Sequence, residues 1–187
     1  MKAISVFSLI ALLVGSNLVF SEVSNAEERV CRGTIGAVTV DNLKVPDGAS
    51  CRLNATKVQG NIVIGSNARL TATRIRVIGN IQAENAALVN VTSGSSIGGS
   101  IQIKQGKAAT ITGNTINGSL QFESNSGSLS AQNNRIGADL QAFQNIRGVL
   151  VGSNRINGNL QCKENNPTPT GGRNIVQGNK EDQCARL

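Results

Sequence analysis

Histidine, tryptophan and tyrosine are absent from this 187-residue chain, and four phenylalanines are its only aromatics. Without histidine there is no imidazole base, proton shuttle or imidazole metal ligand. Without Trp or Tyr, most of the platforms on which sugars or single-stranded bases stack are missing too. A core with so few rings must be narrow and filled by short aliphatics. Beyond residue 20 no long apolar run exists, so no membrane span is expected in the rest of the chain. Cysteine is scarce but even in number, at 31, 51, 162 and 184.

What is present begins with Lys2 and an uncharged, mostly apolar run from Ala3 to Phe20, followed by Ser24-Asn25-Ala26. This pattern predicts a secretory signal peptide over residues 1–26, cleaved after Ala26, and hence a periplasmic or extracellular protein. An uncleaved anchor fits less well, because Ser8, Gly15, Ser16 and Asn17 break a run that is already short. Cleavage would remove Lys2 and Glu22 and leave the net charge at +7.

Residues 27–187 then form one domain: an N-terminal cap and first turn over 27–57, regular repeats over 58–162 and a C-terminal cap over 163–187. Ile116-Asn117-Gly118-Ser119-Leu120 returns, slightly altered, five times, making six copies. The last aliphatic of each copy stands at 62, 81, 101, 120, 140 and 160, a period of 19 or 20 residues. A fixed period of this size marks a solenoid in which each turn packs only on its neighbours. Two further apolar columns accompany it, Val58 to Ile156 four residues earlier and Ile64 to Cys162 two residues later. A third pair runs from Cys51/Leu53 to Val149/Val151. Apolar residues two apart are short strands with alternate side chains facing a core.

The expected fold is therefore all-β, a single-stranded parallel β-helix of about six to seven turns, right-handed because parallel crossovers nearly always are. Leucine-rich repeats share the period and an Asn (Asn125, Asn145, Asn165), but their spacing is one residue shorter and they need a return segment absent here. The Gly-Gly-x-Gly-x-Asp of calcium-binding nonapeptides is also missing. Gly36-Ala37-Val38-Thr39-Val40 reads as a degenerate first copy, with extra chain in the loop Lys44–Ala49. The column Gly60, Gly79, Gly99, Gly118, Gly158 reads as the corner at which the chain bends without a Cβ. Outside, Gln82, Gln102, Gln121, Gln141 and Gln161 should form an amide ladder, and Glu84, Lys104 and Glu123 an ion ladder. The cysteines lie at opposite ends of the array, which predicts Cys31–Cys51 and Cys162–Cys184 disulfides in an oxidising compartment. Zinc is disfavoured, because spacings of 20 and 22 contain no Cys-x-x-Cys pair.

The Gly-x-Ile pattern over residues 58–160, clearest at Val77–Ile103, resembles the repeats of bactofilins, bacterial proteins that polymerise end to end; the resemblance implies that self-association is possible. The tail from Leu160 to Pro167, then Gly171-Gly172 and Asn179 to Cys184, resembles a family of small exported bacterial proteins. That resemblance implies export and a β-helix.

No candidate catalytic residue, cofactor site or metal site emerges. Lys104 separates the two in-column carboxylates, Glu84 and Glu123, and no nucleophile–base pair or phosphate loop exists. The expected function is a secreted structural or surface-interaction protein without catalytic activity. Two surfaces could bind a partner. Lys57, Arg76, Arg135 and Arg155, with Arg69, Arg74 and Arg147 near, suit an anionic polysaccharide or another envelope component rather than a specific nucleic acid. Thr71, Thr73, Thr92, Thr110 and Thr112 form a flat row of the kind that solenoid antifreeze proteins turn to ice, although Thr is also simply a good strand residue. A polysaccharide-active enzyme is the remaining alternative.

Overall fold

The computed structural model describes residues 27–187, so the signal peptide read over 1–26 lies outside the described residues. Three parallel sheets, of nine, eight and eight strands, wind into a β-solenoid of about seven turns, and no helix occurs among the described residues. The first sheet runs from Glu28–Val30 through Ile101–Lys104 to Lys180–Asp182. The second runs from Thr34–Ile35 through Ala108–Thr112 to Thr170–Gly172. The third, of two-residue strands, runs from Thr39–Val40 through Thr115–Ile116 to Ile175–Val176.

Register follows the apolar columns. Ile81 pairs with Ile62 and Ile101, Leu120 with Ile101 and Leu140, and Ile116 with Ile97 and Ile136. All are buried. A one-residue slip would turn each column outward, so burial itself fixes the pairing. Phe122 is the largest fully buried side chain, and it stands between Ile103 and Ala142 in its column. The small Ala142 leaves room for the ring, as close packing requires.

The first turn differs from the sequence reading. Leu43, not Val38, lies beneath Ile62, and Val40 lies beneath Val58. The first copy is thus Val40-Asp41-Asn42-Leu43, one residue shorter than the others, and Val38 is left half exposed. The loop Pro46–Ala49 is not extra chain. It sits directly under residues 65–68, with the Gly48 N–H donating to the Ser66 carbonyl.

The corners also differ. The two that demand a left-handed backbone follow the first and second sheets, and they are filled mainly by residues other than glycine. Asn85, Gln105, Ser124 and Gln144 turn the one; Arg74, Asn133, Ser153 and Arg173 turn the other, all with φ between 53° and 59° apart from Gln105 at 52°. Glycine at 60, 79, 99, 118 and 158 serves a different purpose. A Cβ at Gly79 would fall on the Asn61 Oδ1, and one at Gly99 on the Asn80 Oδ1. Those side-chain oxygens accept the backbone N–H of the next turn: Asn80 N donates to Asn61 Oδ1 at 2.8 Å, and Ser100 N to Asn80 Oδ1 at 2.8 Å. Where Ala138 breaks the glycine column, the corresponding bond, Asp139 N to Ser119 Oγ, is stretched to 3.3 Å.

Behind the left-handed corners, two files of buried asparagines run up the axis. Asn125, Asn145 and Asn165 form one, and Asn114, Asn134, Asn154 and Asn174 the other. In each, an Oδ1 accepts both the N–H and the Nδ2 of the Asn one turn below, while its own Nδ2 donates to a carbonyl of the turn below and to the next Oδ1 above. In Asn134, Asn145, Asn154 and Asn165 the Oδ1 accepts two bonds and the Nδ2 gives two, which is what makes a buried polar file tolerable.

Disulfides Cys31–Cys51 and Cys162–Cys184 form as expected, with Cα–Cα distances of 5.6 and 5.2 Å, and all four residues are buried at the ends of the core. Two such bridges point to an oxidising environment. No helix among the described residues is long and apolar enough to cross a membrane.

Candidate binding surfaces

Each sheet turns one row of alternate side chains to solvent, so the outside is best described face by face. On the first sheet the glutamines form the expected ladder. Nε2 of each donates to Oε1 of the next, at 3.4 Å from Gln82 to Gln102 and at 2.9, 2.6 and 2.8 Å through Gln121 and Gln141 to Gln161. The ion ladder beside it forms only in its upper half. Lys104 pairs with Glu123 at 2.9 Å, whereas Glu84, though in register with Lys104, makes no ion pair with it. Both members of the pair are nearly half exposed, so the contact contributes at most about 1 kcal/mol. One lysine satisfies one carboxylate fully, and the long exposed side chain has no force holding it to both.

The second sheet carries the threonines. Thr73, Thr92 and Thr112 stand in one column, and Thr71, Asn90 and Thr110 in the next. Arg52 and Asn54 lie below them, Ser130 and Gln132 above. All five threonines are half-buried, and the row is in the register the repeat implies. At its centre the buried Asn90 Oδ1 has no hydrogen-bond partner.

The third sheet carries the basic residues. Lys57, Arg76, Ser96, Thr115, Arg135 and Arg155 are consecutive rungs of one column, all exposed. Each opens a strand of only two residues, with the following aliphatic turned into the core. Arg74 and Arg173, in the left-handed corner preceding this sheet, flank the column. Arg74 is held by a 2.9 Å bond to Asn54 Oδ1, and Arg173 lines an open hollow with Arg135 and Arg155. Arg69 and Arg147 do not join this surface: Arg69 opens a strand of the second sheet, and Arg147 lies in the turn leading to that sheet. Sequence reasoning missed Arg173. Its period from Asn133 and Ser153 was the available signal.

Among the described residues, no three His, Cys, Asp or Glu side chains gather closely enough to hold a metal ion. Compared with known protein families, curated proteins and solved structures, the chain matches none.

Proposed function

We propose that this chain is an exported, non-catalytic β-helix that works by presenting its outer faces to a component of the bacterial envelope or its surroundings. The observation that carries this reading is the repetition of outward side chains in strict register over successive turns, on faces that are flat rather than cleft. A groove for polymer cleavage needs opposed carboxylates; here Glu84 and Glu123 lie two rungs apart in one column with Lys104 between them, bound to Glu123. The disulfides at both ends support export, since such bonds persist outside the reducing cytosol.

The test is fractionation of bacteria expressing the full chain, with the mass of the protein recovered and co-sedimentation with purified envelope polymers. Recovery outside the cytosol with Glu27 as the first residue, together with co-sedimentation, is the expected result. Retention in the cytosol, or turnover of any substrate in a polysaccharide panel, would refute it.

A further inference from the structure

We infer that the third sheet is a track for a single linear acidic polysaccharide lying parallel to the solenoid axis. This inference rests on the reading of the protein as an exported interaction module and names the ligand class for one face.

Three side-by-side columns define the track. The central one is Lys57 to Arg155. On one side lies the corner column with Arg74, Asn133, Ser153 and Arg173. On the other lie Gln59, Ile78, Gly98, Asn117, Gly137 and Asn157. From the Lys57 rung to the Arg155 rung none of these positions is acidic. The ion pairs among the described residues, Lys44–Glu28, Lys104–Glu123 and Lys163–Glu164, lie elsewhere. Six cations therefore face solvent without a carboxylate partner, in two clusters: Lys57, Arg74 and Arg76, then Arg135, Arg155 and Arg173. Ser96 and Thr115, the neutral rungs between them, offer hydroxyls.

Width and chemistry choose the ligand. Strands of two residues give one outward side chain per rung, a strip wide enough for one chain and too narrow to engage both phosphate rows of a duplex. No aromatic stands on it, so single-stranded bases would have nothing to stack on. Guanidinium forks bind carboxylate or sulfate groups in bidentate fashion, while the flanking amides and hydroxyls suit sugar hydroxyls. Five rung spacings separate Lys57 from Arg155, about 24 Å at ~4.8 Å each. The facing members of the two clusters, Arg76 and Arg135, are three spacings apart, about 14 Å at the same ~4.8 Å, so a chain must bridge at least that gap to reach both, and doing so makes the second contact intramolecular.

The experiment titrates the full disulfide-bonded protein with oligogalacturonates of graded length, with neutral dextran and a single-stranded oligonucleotide of matched charge as comparators. The on-track variant is Arg135→Thr/Arg155→Thr/Arg173→Asn, whose new residues already occupy the same columns at Thr115 and Asn133. The off-track variant is Arg52→Gln/Arg69→Gln/Arg147→Gln, which removes the same charge from other surfaces. Expected are salt-sensitive binding that strengthens once the oligomer exceeds the span, a loss of at least about tenfold in the on-track variant, and near-parental binding in the off-track variant. The inference is overturned by equal losses in the two variants, by an affinity indifferent to length, by no binding at low salt, or by an oligonucleotide that binds as tightly. If the on-track variant still co-sediments with envelope like the parent, the exported-module reading stands and the track falls; cytosolic retention defeats the reading whatever the titration gives.

Discussion

Replacing Asn134 by leucine removes the hydrogen-bonding groups of one buried rung while keeping its shape. The Asn134 Oδ1 accepts the Asn114 N–H at 3.1 Å and the Asn114 Nδ2 at 3.3 Å; its Nδ2 donates to the Ile111 carbonyl at 2.8 Å and to Asn154 Oδ1 at 3.0 Å. After substitution the Asn114 N–H has lost its acceptor. The Asn114 Nδ2 keeps the Val91 carbonyl, and Asn154 Oδ1 keeps the backbone N–H of residue 134. One buried group is fully orphaned and others are half satisfied. At roughly 1–3 kcal/mol for an orphaned buried group, the expected cost of Asn134→Leu is roughly 2–4 kcal/mol. Serine should cost about half as much, because a hydroxyl one turn up can accept the N–H: Ser95 Oγ accepts the Ile75 N–H at 3.2 Å in the same file. Asn133→Ser, on the exposed corner beside it, should fall within about 0.5 kcal/mol of the parent. Lacking Trp and Tyr, the chain is best followed by far-UV circular dichroism in urea, with the shift in midpoint read at constant slope. A leucine variant as stable as the parent, or equal losses for leucine and serine, would show that the file does not hold the turns together as argued.

Other outcomes follow from the columns. Leu120→Ala should cost about 2–5 kcal/mol through lost burial and a cavity, and Gln121→Ala less than half of that, because the half-buried Gln102 and Gln141 amides it leaves unpaired can turn to water; equal midpoints in urea would mean the faces are misassigned. Gly79→Ala should cost about 1–3 kcal/mol, since its Cβ must displace the Asn61 Oδ1 and the Gly60 carbonyl, and a thermal midpoint at or above the parent's would refute the close-approach account of that column. On the threonine face, five threonines on three turns, interrupted by Asn90 and bounded by Arg52 and Gln132, make a small array. The parent and a Thr73→Lys/Thr112→Lys variant should leave ice growth equally untouched, and thermal hysteresis lost in the variant would establish that face as a binding surface.

Columns of aliphatics were legible in the sequence because burial demands the same residue class at the same phase on every turn. So were the glutamines, for the converse reason: a repeated amide on an exposed strand has little use except to bond its own copy. Of the buried asparagines, Asn125, Asn145 and Asn165 were legible as a repeat without their bonding role, and the file of Asn114, Asn134, Asn154 and Asn174 was not read. Asn is a turn residue first, and in the lower turns their file holds Thr56, Ile75 and Ser95, so its unity shows only from Asn114 upward. The first turn was misaligned because Val40-Asp41-Asn42-Leu43 lacks one residue of the repeat, and a period-counting argument absorbs such a deletion as an insertion elsewhere. Arg173 was overlooked because its column is a corner, where residue class varies from Ala55 to Ser153 and backbone angle is the shared property.

The amide ladders give the molecule a direction. In all three each rung gives a side-chain proton toward the C-terminal turn, so the aligned side-chain dipoles point one way along the axis. Such a chain can be extended indefinitely at its donating end unless something without a further donor to give closes it. Gln161 Nε2 delivers its proton to the Glu181 carboxylate at 2.7 Å, which has none to pass on. Asn165 delivers its own to Gln183 Oε1 at 3.0 Å, and Gln183 returns the favour downward, from Nε2 to the Asn165 carbonyl at 2.9 Å. Glu181 and Gln183 thus terminate the glutamine ladder and the Asn125–Asn165 file, and the short tail to Cys184 that carries them caps both polarised stacks at once.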